Sequence, residues 1–224
     1  MLHLSAIAVA GRRYWIASLL PLTWVGFQVF RLLVGWREEA FEPASAQNVL
    51  IGFPLTILAI GLGVRIIAAE VDRRTLEIAF TVPGGTQRVW TAKLIASAMI
   101  LLVAELLLAL TTFVFCTEFP PGALYGAFQS AICYLVLAMA LSALSKSEAT
   151  GALVTAIVFV MNLVVQPAQL RISPFWNPEA QPNADPADLL AWTTQNRIGM
   201  LLVIAALTAL AFARAERREK LLGG

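Results

Sequence analysis

The sequence predicts an all-α, polytopic membrane protein with six transmembrane helices. Of the 224 residues, 59% are hydrophobic and only 13% are charged, about half the charged share of an ordinary globular chain. The mean hydropathy is +0.77, and several apolar runs reach the roughly 20 residues that a spanning helix needs. This composition excludes a disordered chain. Two cysteines and a net charge of +2 exclude a disulfide scaffold and a strongly basic nucleic-acid binder.

Six apolar runs are candidates for the spanning helices. They occupy residues 14–34, 49–69, 94–115, 123–144, 150–165 and 198–213. The third and fourth runs are the clearest. The fifth and sixth are short, so each must tilt little in the bilayer or extend into flanking polar residues. Because the runs are continuous and do not alternate in polarity, they favour helices over the strands of a β-barrel.

The basic residues predict which side of the membrane the termini occupy. An even number of spans puts both termini on one side, which carries eleven lysines and arginines against four on the other. Lysine and arginine are enriched in cytoplasmic loops, so both termini are expected in the cytoplasm. The eleven are Arg12, Arg13, Arg73, Arg74, Arg88, Lys93, Lys146, Arg214, Arg217, Arg218 and Lys220, and the four are Arg31, Arg37, Arg171 and Arg197.

Residues 1–13 are predicted to form a short amphipathic helix at the cytoplasmic membrane interface. Its apolar side would carry Leu2, Leu4, Ile7 and Ala8. A frayed extension of the first span is the alternative. A signal peptide is disfavoured, because no lysine or arginine precedes the apolar stretch and two arginines follow it. The predicted organisation is an interfacial helix (1–13), a six-helix transmembrane domain (14–213) and a cytoplasmic tail (214–224).

The connection between the third and fourth spans, residues 116–122, is too short for anything but an antiparallel hairpin. Gly122 and Gly126 have the G-x-x-x-G spacing that permits close approach of helices in membranes. The alternative is that these glycines only serve the exit from the turn at Pro120 and Pro121.

The chain contains no recognisable catalytic or metal-binding pattern. It lacks the glycine-rich G-x-x-x-x-G-K-[ST] loop that binds nucleotide phosphates. His3, Cys116 and Cys133 are far apart in the sequence and cannot be combined into an ordinary zinc site. We therefore expect no enzymatic activity, metal or cofactor in this chain itself.

Four polar side chains in or next to the predicted spans are singled out as candidates: Arg65, Glu105, Asn162 and Gln166. A carboxylate at mid-bilayer, such as Glu105, costs about 2.5–3.5 kcal/mol on insertion scales, so it must face protein, water or a partner. One interpretation is a translocation surface or a proton-sensitive site. The other is hydrogen bonding between helices, including a Glu105–Arg65 pair.

The loop between the second and third spans, residues 70–93, carries the densest charge pattern. Oppositely charged side chains recur four residues apart, which favours a short charged helix over 70–80. Leu76 and Phe80 give this helix an apolar edge, and Pro83 with the two glycines after it ends the helix. The pattern fits a docking element for a cytoplasmic partner and equally a solvated connector.

The loop 70–93 resembles the segment after the second span of type-2 ATP-binding-cassette (ABC) exporter permeases. The residues that match the pattern of that segment, in order, are Glu70, Thr75, Glu77, Pro83 and Lys93. The spans, the N-terminal helix, the long outer loop and the basic tail are similar as well. The resemblance therefore extends over nearly the whole chain. It departs from the family where arginines stand before Thr75, at positions often held by glycine.

The resemblance implies partners and a coupling element. Such permeases pair with a second permease chain, and two soluble ABC ATPase subunits, which hold ATP and Mg, dock below them. A helix after the second span enters a groove on the ATPase and transmits nucleotide-driven closure. The outer loop, residues 166–196, resembles re-entrant helices that cap the outer exit, with an irregular solvated loop as the alternative. The implied docking and coupling residues are Glu70, Asp72, Arg73, Arg74, Thr75, Leu76, Glu77 and Phe80.

The predicted function is that of a permease subunit of an ATP-driven exporter in the bacterial inner membrane. A haem-exporter-like permease of cytochrome maturation shares the topology and is the alternative within transport. The alternative outside transport is a membrane anchor or assembly subunit that holds a partner without moving substrate. The polar residues of the spans match no one class of substrate.

Overall fold

A computed structural model describes residues 2–36, 39–72, 85–165 and 171–216 of the chain. All regular elements within these residues are helical, and none is a strand. The helices are α1 (Leu2–Ala10), α2 (Tyr14–Leu19), α3 (Leu22–Leu33), α4 (Pro43–Ser45), α5 (Phe53–Asp72), α6 (Gly85–Phe115), α7 (Pro121–Ser145), α8 (Glu148–Val165) and α9 (Pro186–Glu216). A π-helix (Ala46–Gly52) joins α4 to α5, and a 3₁₀ turn (Pro178–Ala180) precedes α9.

Five helical segments among the described residues are long and apolar enough to cross a membrane. They are Tyr14–Leu33, Pro43–Glu70, Gly85–Phe115, Pro121–Ser145 and Pro186–Glu216. The predicted fifth span, 150–165, corresponds to α8, an apolar helix that is shorter than these five. The helical membrane architecture is thus confirmed, whereas the count of six spans stays a prediction.

The N-terminal helix is separate from the first span. Gly11 adopts a φ of +86° after α1, a conformation that glycine reaches without steric cost, and the chain resumes helical structure at Tyr14. The side of α1 that packs against protein carries Ser5, Ala6 and Val9. Three of the four predicted apolar-side residues, Leu2, Leu4 and Ala8, are exposed, and no contact of theirs among the described residues tests the predicted membrane-facing side. The predicted amphipathic character of α1 therefore stays a prediction.

The core of the bundle is the contact of α5 with α7, and small residues permit their close approach. A Cβ at Gly63 would overlap the Leu135 backbone oxygen and lie 2.9 Å from the Ala138 Cβ. Thr56 and Ser130 also meet between these helices, with their hydroxyl oxygens 3.4 Å apart. Small residues and polar contacts of this kind are typical of helix packing in membranes, where burial of apolar surface gives little driving force.

The predicted hairpin is present, since α6 ends at Phe115 and α7 begins at Pro121. Of the two glycines in the G-x-x-x-G spacing, only Gly126 lies in a close contact. A Cβ there would meet the Gln47 side-chain amide at 2.5–2.6 Å, whereas Gly122 has nothing within 4 Å of such an atom.

Two predicted loops are shorter in the structure than in the sequence analysis. The last helix begins at Pro186, so residues 186–196, predicted as part of the outer loop, are helical. Pro186 suits a first helical position, and the Asp185 carboxylate accepts a hydrogen bond from the Ala187 N–H at 2.8 Å, which satisfies one free donor of the first turn. On the side of the membrane predicted to hold the termini, α5 extends to Asp72 and α6 starts at Gly85. The predicted loop 70–93 is therefore shorter than expected.

Candidate functional site

The two helices that flank the predicted coupling loop are joined by an ion pair at its base. Lys93 Nζ, on α6, lies 2.6 Å from Glu70 Oε1 near the end of α5, with side chains only 6% and 12% exposed. Trp90 Nε1 donates to the other carboxylate oxygen, Glu70 Oε2, at 3.2 Å. Lys93 Nζ also donates to the Ile66 carbonyl at 3.2 Å. We call Glu70, Trp90 and Lys93 the loop clamp.

The last helix reaches the same place. Trp90 is fully buried, and its ring lies 6.1 Å from that of Phe212 on α9. One turn earlier on α6, Gln87 Nε2 donates to the Glu216 carboxylate. The beginning of α6 therefore contacts both α5 and α9.

Glu70, the first of the predicted docking residues, forms contacts within the chain itself. Both carboxylate oxygens of Glu70 have partners on α6, so Glu70 contributes to the base of the loop. Whether it also touches an ATPase stays a prediction. Asp72 is the last residue of α5. The other predicted coupling residues, Arg73, Arg74, Thr75, Leu76, Glu77 and Phe80, lie outside the described residues.

Arg65 connects three helices at this end of the bundle. Its Nη1 donates to the Val9 carbonyl in the last turn of α1 at 3.3 Å, and its Nε lies 3.7 Å from Glu148 Oε2 in the first turn of α8. Positive charge at a helix C-terminus and negative charge at an N-terminus are both favourable orientations with respect to the helix dipole. The Glu105–Arg65 pair considered from the sequence is absent, since the carboxylate near Arg65 is that of Glu148.

Glu105 lies in the middle of α6 and is 4% exposed. Its carboxyl group interacts with the backbone of Phe128 on α7. Its Oε1 atom has no hydrogen-bond partner among the described residues. Glu105 is therefore a buried carboxyl on a helix–helix contact.

The remaining polar residues singled out in the spans do not join Glu105. Asn162 Nδ2 donates to the Tyr134 hydroxyl at 2.8 Å, beside an aromatic group of Tyr134, Phe159 and Phe175 whose rings are 5.2–5.9 Å apart. Gln166 lies outside the described residues. Arg65, Glu105 and Asn162 thus occupy three separate places and not one polar path.

The opposite end of the bundle is covered by residues 171–177, which we call the cap segment. Amide side chains hold its backbone from two elements. Gln47 Nε2 donates to the Trp176 carbonyl at 2.7 Å, and Asn48 Nδ2 to the Phe175 carbonyl at 3.2 Å. From α9, Asn196 Nδ2 donates to the Arg171 and Ser173 carbonyls at 3.0 and 2.8 Å.

A second layer of contacts holds the helices under the cap segment. Gln129 Nε2 on α7 donates to Asn196 Oδ1 at 3.3 Å, and Arg197 Nη1 donates to Gln129 Oε1 at 3.1 Å. The Arg197 guanidinium also lies 4.1 Å from the centre of the Tyr125 ring. Irregular backbone in a membrane protein must be satisfied by protein groups. Gln47, Asn48 and Asn196 satisfy the cap-segment carbonyls, and Gln129 with Arg197 supports Asn196 from below.

Gln129 was not singled out from the sequence although it lies inside the run 123–144, and Gln47, Asn48 and Asn196 were missed because they lie outside the runs. The available signal was the position of Gln47, Asn48 and Asn196 immediately beside the runs 49–69 and 198–213. The re-entrant helices expected over 166–196 correspond, in the part that is described, to the cap segment, one 3₁₀ turn and the first turns of α9. Residues 166–170 lie outside the described residues.

Among the described residues, no group of three or more histidine, cysteine, aspartate or glutamate side chains could hold a metal ion. Cys116 and Cys133 are both free thiols.

The family described as ABC-2 family transporter protein matches residues 35–216, a range that begins after α3 and includes both the loop clamp and the cap segment. Searches of curated proteins and of solved structures found no match.

Proposed function

Because the chain belongs to the ABC-2 family of transporter proteins, we propose that it is the permease of an ATP-driven exporter whose segment 70–93, with the predicted coupling helix 70–80, receives the motion of an ABC ATPase. The chain is an integral membrane protein and a permease component of an ABC transporter. Separate ATPase subunits would hydrolyse ATP with Mg, and a second permease chain would complete the translocation unit. The inner-membrane location and the outward direction of transport are parts of the same proposal.

The observation that carries the proposal is the loop clamp. A loop that receives force can move a bundle only if its ends are fixed to helices that extend across the membrane. Glu70 and Lys93 fix the two ends to each other through a buried ion pair, and such a pair is costly to break when one partner is left alone. A displacement of the loop would therefore move α5 and α6 together.

One helical segment extends from the loop clamp to the cap segment. Pro43–Glu70 forms a helical unit of 28 residues, with Glu70 at one end and Gln47, bonded to Trp176, near the other. Their separation along the axis is about 35 Å at 1.5 Å per residue. The segment includes the π-helix Ala46–Gly52, and π-helical turns are frequent at functional positions. We take this segment as the connection by which nucleotide-driven motion would reach the outer end.

The proposed orientation rests on the basic residues and on the contacts at the two ends. Three sets of contacts join elements on the side of the membrane that the sequence predicts to be rich in lysine and arginine. They are Arg65 with Val9 and Glu148, the loop clamp, and Gln87 with Glu216. The cap segment contacts the elements predicted on the other side. Since cytoplasmic loops are rich in lysine and arginine, the clamp end is proposed to face the cytoplasm, where an ATPase would meet it.

The test of this function is a comparison of loop variants in the complex with its ATPase. Leu76→Ala with Phe80→Ala removes the two bulky anchors that the sequence predicts for docking, whereas Arg73→Ala removes a charge at the rim. Loss of a buried anchor costs about 2 kcal/mol or more, and a rim charge much less. The double variant should lose ATPase co-purification or stimulated hydrolysis, and Arg73→Ala should retain both.

A double variant with unchanged co-purification and hydrolysis would contradict the coupling role of the loop. Retained binding without any stimulation by the unaltered chain would instead support a membrane anchor that moves no substrate. Folding of each variant is checked by its elution as a single species in detergent.

A further inference from the structure

An apolar groove lies on the surface of the bundle between α1, α2 and α6. Its volume is about 520 Å³, within the range of about 300–1,000 Å³ that is typical of small-ligand sites. Leu2 and Ala6 of α1 and Trp15 of α2 form one wall, and Met99 and Val103 of α6 form the other. The groove is open on the side that faces away from the bundle.

The groove lies along a spanning helix. Its α6 wall extends from Ala96 to Leu107, about 17 Å of helix axis, within the segment Gly85–Phe115. Trp15, Met99 and Val103 are 58%, 54% and 46% exposed. In a bilayer, apolar side chains left open beside a spanning helix are solvated by lipid acyl chains and not by water. The groove is therefore shaped for an elongated apolar chain.

Two arginines immediately precede one end of the groove in the chain. Tyr14 lines it, and Arg12 and Arg13, both exposed, immediately precede Tyr14. With Cα atoms 3.8 Å apart along the chain, both guanidinium groups start within two residues of the groove. The described residues place no carboxylate within salt-bridge distance of either arginine. The first acidic residue of the chain is Glu38, so the surrounding sequence supplies no local counter-charge.

We propose that this groove binds an anionic phospholipid, with one acyl chain between α1, α2 and α6 and the phosphate headgroup beside Arg12 and Arg13. Arginine binds phosphate oxygens in a two-pronged geometry, and basic residues beside a membrane attract anionic lipid. A bound lipid would fill the gap between the N-terminal helix and α6 and so hold α1 against the bundle. This site is separate from the loop clamp and the cap segment, and it does not depend on the proposed function.

The test is lipid binding to the full chain, delipidated in detergent and titrated in native mass spectrometry. The probes are phosphatidylglycerol and phosphatidylcholine with identical acyl chains. Each basic residue near an anionic surface contributes about five-fold to binding. Arg12→Gln with Arg13→Gln should weaken phosphatidylglycerol binding about 25-fold and phosphatidylcholine binding much less, because the choline cation offsets the charge of the phosphate that both lipids carry.

A second variant tests the apolar part of the site. Met99→Trp with Val103→Trp fills the groove from two half-exposed positions and should weaken the binding of both lipids. Leu110→Trp is the matched control, because Leu110 is on the same helix and 63% exposed but does not line the groove. It should bind lipid as the unaltered chain does.

Three results would overturn the proposal. Equal affinity of the unaltered chain for the two lipids would show that the site does not select an anionic headgroup. Unchanged binding in the Met99→Trp/Val103→Trp variant would show that the acyl chain does not occupy the groove. Loss of a permease dimer in that variant, with lipid binding intact, would assign the groove to a second copy of the chain.

Discussion

Removal of one partner of the loop clamp should destabilise the protein far more than removal of both charges. Lys93→Met leaves the Glu70 carboxylate buried with only the Trp90 N–H as a partner, since the two side chains of the pair are 6% and 12% exposed. Breaking a buried ion pair in this way costs about 3–5 kcal/mol, whereas replacing both partners is often close to neutral. Lys93→Met should therefore be destabilised, and Glu70→Gln with Lys93→Met should recover most of the loss.

The assay is thermal unfolding in detergent, followed by tryptophan fluorescence, together with ATPase stimulation in nanodiscs. For a chain of this size, about 3 kcal/mol corresponds to a shift of about 6–12 °C in Tm. Arg88→Met is the matched control, because Arg88 is an exposed cation on the same helix and its loss should shift Tm little. The double variant should regain stability without regaining full stimulation, because the electrostatic link between the loop ends is gone. Equal Tm values for Lys93→Met and Arg88→Met would refute the reasoning.

Three further predictions concern the outer end, the buried carboxyl and the orientation. Asn196→Leu leaves two cap-segment carbonyls without their donor, which should lower the free energy of unfolding by about 2–4 kcal/mol and speed proteolysis near the segment. The control Thr194→Val should be cleaved as slowly as the unaltered chain, and equal proteolysis of the two variants would contradict the role of Asn196. Glu105→Gln should retain assembly and transport, because an amide can still hydrogen-bond at the helix contact, and lost transport at normal expression would assign a role to its charge or proton. In a chain without native cysteines, Asn183→Cys should react with an impermeant maleimide from outside and Arg88→Cys should not, and the reverse labelling would contradict the orientation.

The apolar helices could be predicted because hydropathy alone determines them. The runs 94–115 and 123–144 lie within α6 and α7, since long continuous apolar sequence has no stable place but the bilayer. The start of α9 could not be found in this way. Its first three turns carry Asp188, Thr193 and Asn196, which lower the hydropathy. Thr193 and Asn196 form hydrogen bonds with the cap segment.

The hydrogen-bond and ion-pair partners of the polar residues could not be predicted from the sequence, because each partner lies far from its residue along the chain. Arg65 meets Val9 and Glu148, and nothing in the local pattern distinguishes these from Glu105. Lys93 was recognised through the family resemblance as the residue that opens the third helix, but its bond to Glu70 depends on how α5 packs beside α6. Gln47 is similar, since its role requires both the π-helix and the approach of Trp176.

The central claim is that motion at the cytoplasmic loop reaches the cap segment through the helix that connects Glu70 to Gln47. Its most direct test is a nitroxide label at Ile172→Cys in the cap segment, with the chain reconstituted beside its ATPase. Ile172 is 45% exposed and can carry a label at the surface. The account predicts that trapping the ATPase with nucleotide changes the mobility of this label, and that Lys93→Met abolishes the change while nucleotide still binds. An unchanged spectrum on trapping, or an equal change in Lys93→Met, would contradict it.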